Sequence, residues 1–129
     1  IVGDMIASIG TIIIDPPEGD MGEYLRQLAR LKAASPRVLF PAHGLPVVEA
    51  VAKLDQYVAH RLLREAKVLG ALEHHRGTPR TPEELLPLAY DDVPEAVYPL
   101  AARSCLAHLL KLLEEGRVHR STEDHFAIV

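Results

Sequence analysis

Val38-Leu39-Phe40-Pro41-Ala42-His43-Gly44 is an apolar run that stops at Pro-x-His-Gly, and Gly3-Asp4 closes an earlier apolar run in the same way. A β-branched and aromatic stretch ended by Pro and Gly predicts a strand that runs into a loop. A side chain just past a strand end is held by a rigid sheet, as a ligating group must be. Between the two stretches lie one further strand-like run, Thr11–Ile14, and an amphipathic helix, Asp20–Ala34. The pattern places Asp4 and His43 where they can converge on one edge of a sheet.

Around that stretch, Ile1–Gly3 reads as a strand end, Met5–Gly10 as a loop, and Asp15-Pro16-Pro17-Glu18-Gly19 as a turn, because each Pro pushes the preceding residue out of the α region. Asp20 supplies an N-cap, Glu23 suits the first turn, and Tyr24, Leu25, Leu28 and Leu31 form one stripe. Ser35-Pro36 ends that helix, and Arg37–Phe40 is the third strand. A strand–helix–strand order implies a right-handed crossover if the two strands are parallel neighbours.

Beyond Pro46, the residues Val51, Leu54, Val58, Leu62, Ala66 and Leu69 recur at helical spacing and predict one long linking helix, stopped by Gly77. Thr81-Pro82-Glu83-Glu84 is a helix start, with Thr as N-cap, Pro at the first position and acids in the first turn. That helix ends near Tyr90, and Asp91–Pro94 is a turn. A third helix spans Glu95–Glu115 with Val97, Leu100, Ala101, Leu106, Leu109, Leu110 and Leu113 on its apolar face; Pro99 favours a later start, and Gly116 is its C′ residue. Val118–Arg120 and Phe126–Val129 form a hairpin with Ser121–Asp124 at its tip. Three helices and a hairpin are the winged-helix order. The expected organisation is residues 1–47 in one unit and 48–129 in a linker helix and winged-helix-like domain.

At 129 residues, 48% hydrophobic and with a formal charge of −4, the chain is long enough for a core and gives no electrostatic reason for tight DNA binding. Its one cysteine, Cys105, allows no internal disulfide, and no apolar run approaches a bilayer span, so a cytoplasmic, non-membrane protein is expected.

Asp4 and His43 have an ordinary reading as loop or capping groups and a sharper one as metal ligands, carboxylate and neutral imidazole being donors that suit zinc or manganese. His60, Arg61, Arg64 and Glu65 fall within about one and a half turns of the long helix. They read either as a solvated face laced by i, i+4 pairs, each worth a few tenths of a kcal/mol, or as side chains turned toward an anionic substrate. His74 and His75 are expected to diverge on the surface, and Cys105 and His108, at i, i+3 in a Leu-rich helix, to pack in the core.

Gly3-Asp4, Pro41-x-His43-Gly44 and His60-Arg61-x-x-Arg64-Glu65, in that order and ahead of a winged-helix-like tail, resemble the metallo-β-lactamase-fold hydrolases, in particular the β-lactamase-like protein 2 subgroup. The resemblance covers nearly the whole chain. It implies an α/β fragment, the end of an αββα sandwich, followed by a mostly α winged-helix-like domain. It further implies that Asp4 bridges two metal ions, expected to be zinc, that His43 binds one of them, and that a metal-activated water hydrolyses an ester, thioester or phosphodiester. Small-molecule and RNA substrates both fit. His60, Arg61 and Arg64 are the substrate-side candidates.

The family's H-x-H-x-D-H motif and a further upstream His are not in this sequence. The echo at His119–His125 is rejected, because Ser121 stands where the second His should be and the Asp124-His125 pair is displaced by one residue. The chain therefore reads as the C-terminal part of a hydrolase. Two ligands fall short of the three or four a zinc site uses, so this chain alone is expected neither to hold the metals nor to turn over substrate. Its expected partner is the missing N-terminal part or a second copy. The alternative is a winged-helix module binding nucleic acid or protein, weakened because residues 46–129 hold ten Lys and Arg against thirteen Asp and Glu.

Overall fold

Asp20 precedes the first helix, α1 (Met21–Ala33), which carries Glu23 in its first turn and Arg30 and Lys32 in its last, the charge order the helix dipole favours. The computed structural model describes residues 14, 16, 19–39, 46 and 48–129. Asp4, the strand readings at 1–3 and 11–13, part of the 15–19 turn, Phe40, and the Pro41–Gly44 loop with His43 lie outside the described residues. In α1, Tyr24 and Leu28 are buried and Leu25 and Leu31 half-buried, so the predicted stripe is the inward face. Ser35 takes a left-handed φ of 49° and ends the helix ahead of Pro36. Of Arg37–Phe40, Leu39 is buried and takes part in a β bridge.

Contacts divide the chain into two compact units, one comprising Gly22–Arg61 with residues 1–13 and the other Ile14–Met21 with Leu62–Val129. The long helix α2 (Ala50–His74) runs through both. Its inward face corrects the apolar stripe read from the sequence. Leu54, Tyr57, Val68, Ala71 and Leu72 are buried, but so are Arg61, Arg64 and Glu65, whereas Leu62 and Leu63 are exposed and Ala66 faces solvent.

The second unit follows its local signals. Helix α3 (Pro82–Ala89) begins at Thr81, whose hydroxyl accepts from the Glu84 amide at 3.3 Å, with Pro82 in the first turn. A single 3₁₀ turn occupies Glu95–Val97 and α4 starts only at Tyr98, running to Glu114. Pro99 sits in the first turn of α4, where its missing N–H costs nothing, which sets the later start. Gly116, at φ 73°, closes α4: its amide donates to Leu113 and that of Arg117 to Leu112, the paired bonds of a Schellman motif.

Strands β1 (Val118–Thr122) and β2 (His125–Ile128) form the antiparallel wing, with a bulge between Arg120 and Thr122 that shortens the tip to Glu123-Asp124. A third bridging position, missed in the sequence, is Arg80, which exchanges both backbone bonds with Phe126 at 2.8 Å. The core gathers Val68, Ala71 and Leu72 from α2, Leu85, Leu86 and Ala89 from α3, Cys105, Leu109 and Leu112 from α4, and Val118 and Phe126 from the wing. Cys105 and His108 are fully buried, as their spacing predicted. Burial pushes the Cys105 thiol up to about 12. The rings of His74 and His75 do not diverge; they meet edge to face at 5.0 Å.

Candidate functional site

The polar residues His60, Arg61, Arg64 and Glu65 share one part of α2, and burying them requires partners, since an unpaired charge out of water is costly. Arg64 has its partners in the turn between α3 and α4. Its Nη1 donates to the Ala89 carbonyl at 2.6 Å and to Asp92 Oδ1 at 2.7 Å, and its Nη2 donates to Asp92 Oδ2 at 2.9 Å. The guanidinium also lies over the Tyr90 ring, 4.3 Å from its centroid. This fork holds the Asp92 carboxyl at about 2, below its ordinary 3.8. Lys67 adds its ammonium to Asp91 and, at 3.9 Å, to Asp92.

Glu65 is tied to α4 and the residue after Gly116. Lys111 Nζ lies 2.8 Å from its Oε2, Arg117 Nη1 3.5 Å from its Oε1, and His108 Nδ1 3.8 Å from its Oε2. Burial pushes the Glu65 pKa up, but the His108 and Lys111 contacts outweigh it and hold the carboxyl below its ordinary value. Lys111 also reaches Glu115 at 2.8 Å. The reading of this quartet as a solvated face is therefore corrected: Arg61, Arg64 and Glu65 are buried, and the partners of Arg64 and Glu65 come from across the winged-helix unit.

One turn upstream, Arg61 is buried, with its guanidinium carbon 5.2 Å from the centroid of the Tyr24 ring, and His60 is half-buried. Of the sequence candidates, the structure thus brings His60, Arg61 and Arg64 onto one helix, while Asp4 and His43 lie outside the described residues. Among the described residues, no group of three or more His, Cys, Asp or Glu side chains is placed to hold a metal ion. The sequence reading missed Asp92, Lys111 and Arg117. The only signal for Asp92 was the acidic pair Asp91-Asp92 in a turn after a helix, which by itself reads as punctuation.

In the wing, the Thr122 hydroxyl and His125 Nδ1 lie 2.9 Å apart, and Arg120 donates to the Glu123 carbonyl at 2.7 Å. Arg76 pairs with Glu73 and Arg80 with Glu84. Arg64, Lys67, Arg76, Arg80, Lys111 and Arg117 are thus each matched by a neighbouring acid, which works against the clustered positive surface that phosphate binding uses.

Residues 81–125 match the family described as the beta-lactamase associated winged helix domain. Over 128 residues the chain is 30% identical to the beta-lactamase-like protein 2 homolog of Drosophila melanogaster, a match covering 98% of this chain and 42% of that protein. The Caenorhabditis elegans homolog of the same name is 29% identical over 116 residues, covering 90% of this chain and 37% of that protein. The crystal structure of a metallo-beta-lactamase family protein from Thermus thermophilus superposes with a TM-score of 0.79 at 23% identity, over 98% of this chain and 40% of that one. The chain spans about two-fifths of the length of these relatives. With its helix order, its wing and these matches, the chain carries a beta-lactamase associated winged helix domain, shares its fold with metallo-beta-lactamase family structures and is similar to the C-terminal part of beta-lactamase-like protein 2 homologs.

Proposed function

We propose that this chain is part of a metal-dependent hydrolase that cleaves an ester, thioester or phosphodiester with metal-activated water. The observation that carries the reading is the similarity to a beta-lactamase-like protein 2 homolog across 98% of the chain. Asp4 and His43 are proposed as ligands, a carboxylate and an imidazole being a donor pair that suits zinc. When bound, a pair of zinc ions supplies a water activated at neutral pH. His60 and Arg61 are assigned to the substrate side, where a cationic group suits a developing or resident negative charge. Arg64 was a candidate for the same role; its guanidinium is committed to Asp92 and Ala89, so we assign it to holding the helix.

Residues 1–47 in this reading belong to a sandwich completed by an N-terminal part or by self-association. Among the described residues, no helix is long and apolar enough to cross a membrane, and we propose a cytoplasmic location. The test uses the whole protein, with its N-terminal part, loaded with zinc. Hydrolysis of an aryl ester, an acyl thioester or a dinucleotide is expected, with loss of more than about a hundredfold in Asp4→Asn and His43→Ala. Undiminished turnover in both variants, or none of the three activities in the metal-loaded protein, would overturn the reading.

A further inference from the structure

Helices α3 and α4 bound a groove of about 520 Å³ that lies wholly within the Leu62–Val129 unit. Pro99, Ala102, Arg103 and Leu106 fall at i, i+3, i+4 and i+7 and make one face of α4, while Glu83 and Leu86, three apart, line the groove from α3. The floor is apolar: Leu86 and Ala102 are buried, and Tyr98 and Leu106 are half-buried. Leu100, three residues before Arg103 and so its neighbour on the helix surface, is 50% exposed, and Val97 in the preceding 3₁₀ turn is 39% exposed. A groove bordered by aliphatic side chains left in water is suited to burial against another surface.

The charges indicate which surface. The α3 wall carries a carboxylate, Glu83, and the α4 wall a guanidinium, Arg103, both exposed. A two-fold contact sets a patch against itself, so that residue i of one copy meets residue j of the other and j meets i. A patch of one sign repels its own copy. A patch with an acid on one wall and a base on the other pairs twice, Glu83 of each copy with Arg103 of the other. Arg103 also takes part in an interaction within its own chain; a guanidinium has five donors and can hold a second carboxylate beside it. We infer that the α3–α4 groove is a two-fold contact between copies of this chain, with Tyr98 and Leu100 at its apolar centre and a Glu83–Arg103 pair on either side. The contact lies outside residues 1–47 and is independent of the hydrolase reading.

Sedimentation velocity on the 129-residue chain, run as a concentration series, tests it. The wild type is expected to pass from monomer to dimer. Leu100→Glu, Glu83→Arg and Arg103→Glu, each checked by far-UV circular dichroism, are expected to weaken the dimer at least about tenfold, because like charges or an unpaired carboxylate are then buried at the contact. An equimolar mixture of Glu83→Arg with Arg103→Glu is expected to recover the dimer, since each contact again joins an acid to a base.

A wild type that stays monomeric at high concentration, leaving the groove to a different protein or a small apolar ligand, overturns the proposal. So does a dimer or larger species that the three variants leave unchanged, which would assemble through another surface such as residues 1–47. Weakened variants that mixing does not rescue would place the charge pair within one copy and overturn it as well. Should Arg103→Glu fail to fold, Leu100→Glu and Glu83→Arg decide, and an undiminished dimer in either is the overturning result.

Discussion

Within a little more than one turn of α2 the usual order of burial is reversed between two faces. Leu62 and Leu63 are 47% and 65% exposed, while Arg61, Arg64 and Glu65 are 4%, 8% and 5% exposed. The difference lies in what each face meets. The inward face meets the Ala89 carbonyl and the Asp92, Lys111 and Arg117 charges, so an arginine and a glutamate find there the partners that burial demands. An apolar side chain in their place would strand those groups. A helix face is thus buried for its complementarity with its neighbour, and hydrophobicity is only the commonest form of that complementarity.

The comparison can be broken by truncating each face in turn. The largest effect is expected from Arg64→Ala, which strands the Ala89 carbonyl, releases Asp92 and uncovers the Tyr90 ring; thermal and urea unfolding should show a loss of about 3 kcal/mol. A loss below about 1 kcal/mol would mean that Arg64 is seated by packing and not by its bonds. Glu65→Ala is expected to cost somewhat less, about 2 kcal/mol, because Lys111 keeps Glu115 as a partner at 2.8 Å.

The Arg64–Asp92 tie also has a pH signature. The Asp92 carboxyl is held at about 2 in the folded chain against an ordinary 3.8. Its native pKa is depressed, so the contribution is fully present above the ordinary value and is lost as pH falls from about 4 toward 2. Urea midpoints measured down that range should fall in the wild type, and Asp92→Asn should remove part of the slope. Identical slopes in the two proteins would contradict the tie. The smallest effect is expected on the opposite face: Leu63→Ala should change stability by no more than about 0.5 kcal/mol, as exposed substitutions do. A loss above about 1.5 kcal/mol, the cost of emptying a packed site, would show that this face is covered in solution.

The candidate site was legible only in outline. His60, Arg61, Arg64 and Glu65 stood out as a motif, and their helical spacing held, but the sequence reading allowed a solvated face. Asp92, Lys111 and Arg117 are separated from Arg64 and Glu65 by the rest of α2 and at least one further helix, α3, and nothing in local spacing pairs residues so far apart. Arg80 escaped for the same reason. One bridged residue against Phe126 leaves no alternating run to recognise.

What followed from the sequence alone was the family resemblance, the winged-helix order and most element boundaries. The Thr81 cap with Pro82, the delay of α4 by Pro99, and the closure at Gly116 all act through backbone geometry and hydrogen bonds within a turn or so of the residue itself. Which face of α2 goes inward was decided only by the tertiary structure. Helical periodicity locates faces, but the energy of burying a charged one depends on partners that long-range folding alone brings within bonding distance.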